Sequence, residues 1–162
     1  IKMFIEELKN NIKYKKWVLD GFLYINQIEN TIISKEKENI VINDINNIAN
    51  NTIKDKNIIL CFNNKDDIIG YLWYVKQTNN PIELNSYENK KNEYVWIHSI
   101  FVDPSVRKQG VGTYLYKELE NICKKQNINK LYLGININNK KAELFYNNLE
   151  FKKEMFIYSK NI

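Results

Sequence analysis

Two features have residue types and spacing that suggest chemistry. The first is Val102–Leu115, VDPSVRKQGVGTYL, where Gly110 and Gly112 follow Arg107, the single arginine among 24 basic residues. A helix that starts at such a turn points N–H groups without internal partners outward, at the positive end of its dipole. Glycines leave that backbone open, so the turn suits phosphate oxygens, with Arg107 and Lys108 adding charge at the rim. Glycine also serves strand-to-helix turns for conformation alone, and these residues admit both readings. The stretch is neither GxGxxG nor GxxxxGK[ST], which excludes a dinucleotide fingerprint and a P-loop. The second feature is His98, the only histidine, which titrates near pH 6.5 when unperturbed and can move protons near neutrality.

These residues must be positioned by neighbouring elements. Glu93–Val102 is apolar on both alternating faces, Tyr94, Trp96, His98, Ile100 and Val102 on one and Val95, Ile97, Ser99 and Phe101 on the other. That pattern predicts a central strand covered on both sides and ended by Pro104. Val111, Leu115, Leu119 and Ile122 then follow at helical spacing to about Gln126. Further strands are expected at Asn57–Asn63, Ile68–Gln77, Lys130–Ile135 and Phe151–Lys160, and a helix at Asn138–Leu149. Residues 1–36 read as helical, with Ile5, Leu8 and Ile12 on one stripe that Leu19 and Leu23 continue across Gly21. Asn39–Asp44 reads as a short strand, followed by a helix to about Thr52. Residues 78–92, polar and containing Pro81, read as a loop.

The chain has 162 residues, 44% of them apolar, which suits one domain with a real core. Its net charge of +5 is carried by lysines scattered among acidic residues, in a composition dominated by Asn, Ile and Lys. No aromatic–basic stripe supports nucleic-acid binding, and no apolar run has membrane-spanning length. Cys61 and Cys123 lack metal spacing and read as buried thiols of a cytoplasmic protein without a metal site. No secretory leader is expected.

The glycine turn and its surroundings resemble the GNAT superfamily of N-acetyltransferases. That family's main signature, Arg/Gln-x-x-Gly-x-Gly/Ala, stands here as Arg107-Lys108-Gln109-Gly110-Val111-Gly112, after a strand ending Val102-Asp103-Pro104. A second signature, Asn-x-x-Ala-x-x-x-Tyr, stands as Asn139-Lys140-Lys141-Ala142-Glu143-Leu144-Phe145-Tyr146. The resemblance covers about residues 57–160, and the family's usual first strand has no clear counterpart in residues 1–56. It implies an α+β, single-domain GNAT-like fold over 1–162, with a mostly helical N-terminal part (1–56) and a cofactor-binding core (57–160). The implied sheet is mixed, mostly antiparallel and twisted, with about six or seven strands flanked by helices.

The resemblance further implies an acetyl-CoA (coenzyme A) site. Backbone amides of Gln109, Gly110, Val111, Gly112 and Thr113 would hold the pyrophosphate, beside Arg107 and Lys108. Arg107 would either touch the cofactor or brace the turn. Ile100, Phe101 and Val102 would pair through their backbone with the pantetheine arm, as an added strand does. Asn139 would contact the cofactor near its pantetheine part. Tyr146 falls at the family's tyrosine position, where a neutral phenol can donate a proton to the leaving thiolate.

Two departures stand out. The family's Gly-Phe after this helix is Glu150-Phe151 here, and its strand-four glutamate base has no match in Trp96-Ile97-His98-Ser99. His98 is then either the general base or a core histidine, with Glu93 the runner-up. Trp73, Tyr74, Tyr94 and Trp96 would wall an acceptor pocket or fill the core, and Glu83 and Glu88 would face a basic acceptor or solvent. The expected activity is direct acetyl transfer from acetyl-CoA to a primary amine of a small molecule or protein, in a ternary complex. The alternative is a non-catalytic acyl-CoA-binding or interaction module. A monomer or homodimer without nucleic-acid or membrane partners is expected.

Overall fold

The computed structural model describes residues 2–78 and 93–162. In chain order the elements are β1 (Phe4–Glu7), α1 (Ile12–Ile28), α2 (Lys35–Ala49), β2 (Lys56–Phe62), β3 (Ile68–Thr78), β4 (Glu93–Val102), α3 (Val111–Lys125), β5 (Leu131–Leu133) and α4 (Lys140–Asn148). A single 3-10 turn, Pro104–Val106, lies between β4 and α3. The strands form one sheet in the order β1-β2-β3-β4-β5. The first four are antiparallel, and β5 joins β4 in parallel. The fold is α+β, with five strands among the described residues rather than six or seven.

The sheet divides the core in two. Ile59, Cys61, Leu72, Tyr74, Val95 and Ile97 face Leu115 and Leu119 of α3 and Tyr146 of α4. Ile58, Leu60, Tyr71 and Trp73 face Val18 and Phe22 of α1 and Val41, Ile45 and Ile48 of α2. Both cysteines are buried free thiols, and burial pushes each up to about 11. No helix among the described residues is long and apolar enough to cross a membrane.

The N-terminal third departs from the sequence reading. Ile5 belongs to a strand, pairing with Cys61, and the Leu8 N–H continues toward β2 by donating to the Ile58 carbonyl at 2.8 Å. A four-residue edge strand is defined by its partner, so its own pattern says little. Helix α1 begins only at Asn11, whose side chain accepts from the N–H groups of Lys13 and Tyr14. Asn39–Asp44 is helical, because Val41, Ile45 and Ile48 fall on the buried face of α2. Ser34 caps that helix through Lys37 N–H at 3.2 Å. Phe151–Lys160 forms no strand: Phe151 packs its ring on Tyr116 and Tyr146, and Met155 to Tyr158 are exposed. The loop at 78–92, with Glu83 and Glu88, lies outside the described residues except for Thr78, which ends β3.

Gly21 explains how α1 reaches the sheet. A Cβ there would lie 2.7 Å from Phe101 Cδ1 and 2.8 Å from Tyr71 Cε1. Its absence lets the helix press against β3 and β4, with Trp17 edge-on to Phe101 at 5.3 Å.

Candidate active site

Strand β4 is irregular where it matters. Trp73 pairs with Ser99 and Tyr74 with Ile97, so His98 is an extra residue opposite none, a β-bulge. The bulge resets the alternation. Val95 and Ile97 share a core with Ile100 and Val102, whereas Phe101 packs with the opposite one. The expected placing of Ile100 and Val102 on the face of Tyr94, Trp96 and His98 is therefore corrected, because simple alternation fails across an inserted residue.

The same point marks the end of the parallel pairing. Strand β5 pairs with Val95, Trp96 and Ile97 and goes no further, while β4 continues to Val102 paired with β3 alone. Between residues 99–102 and 134–138 the sheet parts, and one edge of β4 carries main-chain groups without a ladder partner among the described residues.

The glycine turn lies at the end of this parted edge. Asp103 Oδ1 accepts from the Ser105 N–H at 2.8 Å and hydroxyl at 2.6 Å. Lys108 and Gly110 take left-handed φ values of 62° and 83°. Gly110 is the N-cap of α3 and supplies no side-chain cap, so the following amides lack that partner. The two glycines have different reasons to be there. Gly110 has open space around it and is required by its φ, whereas a Cβ on Gly112 would meet Phe145 Cζ at 3.2 Å. Gly112 thus lets α4 pack against the start of α3. The Val111 side chain is buried and that of Gln109 exposed.

Arg107 is a brace. Its Nε donates to the Val102 carbonyl at 3.0 Å, and its guanidinium lies 5.3 Å from the Tyr24 ring centroid and 5.8 Å from that of Phe101. A planar, weakly hydrated cation suits that slot better than an ammonium.

Tyr146 is buried in the α3 and α4 core, edge-to-face with Phe145 at 5.1 Å and Phe151 at 5.4 Å. Burial pushes its phenol well above the usual tyrosine range. Among the described residues no group bonds its hydroxyl. The turn after α4 forms with Glu150 where the family pattern has glycine. Glu150 adopts φ 66°, and the Phe151 N–H returns to the Tyr146 carbonyl at 3.1 Å.

His98 lies with the other core. Its ring stacks on Phe22 at 5.9 Å and meets Trp73 edge-on at 4.5 Å, with one side open to solvent. Desolvation by these rings lowers its pKa; Asp44 opposes that shift, and Lys56 and Lys37 add to it. Tyr146 and His98 therefore flank the parted strands from opposite faces. Glu93 pairs with Lys76 at 3.1 Å at the far end of β4. The four aromatics share no common wall: Trp73 and Tyr74 face opposite cores, and Tyr94 is edge-on to Tyr132 and bonded to Gln77. Among the described residues no group of three or more His, Cys, Asp or Glu is placed to hold a metal. A cavity of about 470 Å³ lies at the opposite end of α3, lined by Glu120, Cys123 and Lys124, away from these residues.

The sequence profile of the Acetyltransferase (GNAT) family matches residues 22–151. The chain belongs to the GNAT acetyltransferase family. Members of this family use acetyl-CoA. An uncharacterized N-acetyltransferase of Methanocaldococcus jannaschii is 37% identical over 65 residues, 40% of this chain and 29% of that protein's length. Two solved structures share the fold over nearly the whole chain. A tetramutant of the BH1408 protein from Bacillus halodurans has a TM-score of 0.76 at 13% identity, covering 98% of this chain and 99% of that one. A predicted acetyltransferase with acetyl-CoA from Clostridium acetobutylicum has a TM-score of 0.74 at 18% identity, covering 99% and 96%.

Within this GNAT chain, sequence motifs pointed to the turn, Asn139 and Tyr146. They did not reveal Phe22, Tyr24 or Glu29 of α1, which stand beside the parted strands. Helical periodicity placed a helix there, and Gly21, a helix-interior glycine, is the residue that could have marked its close approach to the sheet.

Proposed function

We propose that this GNAT chain transfers an acetyl group from acetyl-CoA to a primary amine within a ternary complex. One observation carries the reading: β4 and β5 part beyond Ile97 and Leu133, directly beside a helix start left uncapped by Gly110. The residues fit the cofactor. Open amides from Gly110 to Thr113 suit a pyrophosphate, and the edge at Ile100–Val102, without a strand partner among the described residues, suits the amides of a pantetheine arm. The Tyr146 hydroxyl has no hydrogen-bond partner among the described residues to lose on meeting a sulfur.

Bound there, acetyl-CoA would supply the activated acetyl group. The chain's residues then have three tasks. The α3 amides and the β4 edge hold one substrate while the amine enters from the His98 face, so two reactants meet in one orientation. His98, neutral because its pKa is lowered, takes a proton from the incoming ammonium, directly or through water. Tyr146, kept neutral by burial, donates its proton to the departing sulfur as the new carbon–nitrogen bond replaces the carbon–sulfur bond, and the second proton that the amine nitrogen sheds returns to the phenol. Arg107 has no part in these steps beyond holding the turn.

The acceptor is an amine of a small molecule or a protein amino group. Release of the CoA thiol, followed against aminoglycosides, polyamines, amino acids, arylalkylamines and peptides, tests the reading. Turnover with at least one amine supports it. Acetyl-CoA binding without turnover across the panel would favour a binding module.

A further inference from the structure

Asn139 is held from two sides. Its Oδ1 accepts the Ala142 N–H at 3.1 Å, and its Nδ2 donates to Glu29 Oε1 at 2.8 Å. These residues are 110 positions apart. Glu29 is the C-cap of α1, half-buried, and makes no ion pair among the described residues. The same helix is fastened to the opposite side of the parted strands. Tyr24 meets Phe101 of β4 edge-on at 5.5 Å and receives the Arg107 guanidinium on its ring. Helix α1 therefore runs from β4 to the start of α4.

We propose that α1 is a strap across the parted strands, and that Glu29 is the positioning residue that fastens its end to Asn139. The inference rests on the acetyl-CoA reading above and assigns to that site a residue outside both signature motifs. Glu29 does two things. It tethers the two banks of the opening, so that a cofactor arm lying between them is covered. It also fixes the Asn139 amide: Ala142 N–H requires the oxygen on one side and the Glu29 carboxylate requires the nitrogen on the other. One Nδ2 hydrogen and one Oδ1 lone pair stay available, in a known orientation, for an amide of the arm. Glu29 acts as a hydrogen-bond acceptor here, so its negative charge is dispensable.

The test compares Glu29→Ala and Glu29→Gln, with acetyl-CoA binding measured by calorimetric titration and steady-state kinetics alongside. Glu29→Ala weakens acetyl-CoA affinity about tenfold, the upper scale of one lost hydrogen bond. Acceptor KM and kcat change less than about twofold, since the acceptor side is untouched. Glu29→Gln accepts the same bond through its amide oxygen and retains most of the affinity. In a double-mutant cycle with Asn139→Ala, the two losses are not additive. Wild-type affinity in Glu29→Ala, equal weakness in Glu29→Gln, or additive losses would each overturn the strap while leaving the cofactor reading intact. Absence of acetyl-CoA binding by the unmodified chain overturns both.

Discussion

Arg107 reaches back to the Val102 carbonyl and lies against two rings, Tyr24 and Phe101. That placement favours bracing of the turn over contact with the cofactor. Arg107→Lys should lower the melting temperature, at a cost of about 1 kcal/mol from lost ring contact and a lost fork. Acetyl-CoA affinity should hold within about twofold, and a large affinity loss without destabilisation would make Arg107 a ligand contact instead. Tyr146→Phe should lower kcat about a hundredfold, the scale of one general acid, with acetyl-CoA affinity unchanged. Equal turnover in the variant removes Tyr146 from the chemistry. For His98 the sign follows from its lowered pKa. The base form persists to lower pH than for an ordinary histidine, so kcat/KM should rise with pH along a limb centred below 6.5. That limb should vanish in His98→Gln, and a limb centred above 6.5 would contradict the assignment.

At the scale of elements, the turns are set by backbone geometry that motif spacing only partly displays. Glu150 sits at φ 66° where the family places glycine, so the turn after α4 persists with a strained residue. Glu150→Gly should stabilise the chain by about 1 kcal/mol, read as a higher midpoint in urea at unchanged slope. Gly112→Ala should do the opposite, because its Cβ would press on Phe145 at 3.2 Å and push α4 from α3. Far more of this region than of the N-terminal third was legible in the sequence. Gly110, Asn139 and Tyr146 each answer a local demand: a left-handed cap, a helix start, a ring slot. Strand β1 answers only to β2, and the α2 segment Asn39–Asp44 mixes alternation with helical spacing until the packing of Val41, Ile45 and Ile48 decides. The bulge at His98 was hidden for the same reason. An inserted residue is defined by pairing with β3, and no single-strand pattern carries it.

Across the whole molecule, the proposed reaction would draw on both faces of one sheet. The face bearing α3 and α4 presents an uncapped helix start and a buried phenol, and the face bearing α1 and α2 presents an imidazole stacked on Phe22 with one side open to solvent. The parted strands between them give the only route by which both faces can act on one bond in this account. The motifs made the first face readable, whereas the second depends on α1, whose Tyr24 and Glu29 reach the site through long-range contacts. The most direct check is an amide NMR spectrum of the chain titrated with acetyl-CoA. The predicted result is that the largest shifts fall on the amides of Gly110 to Thr113 and of Ile100 to Val102, with smaller ones at Asn139. Shifts confined to other elements, or no shifts at saturating acetyl-CoA, would contradict the account.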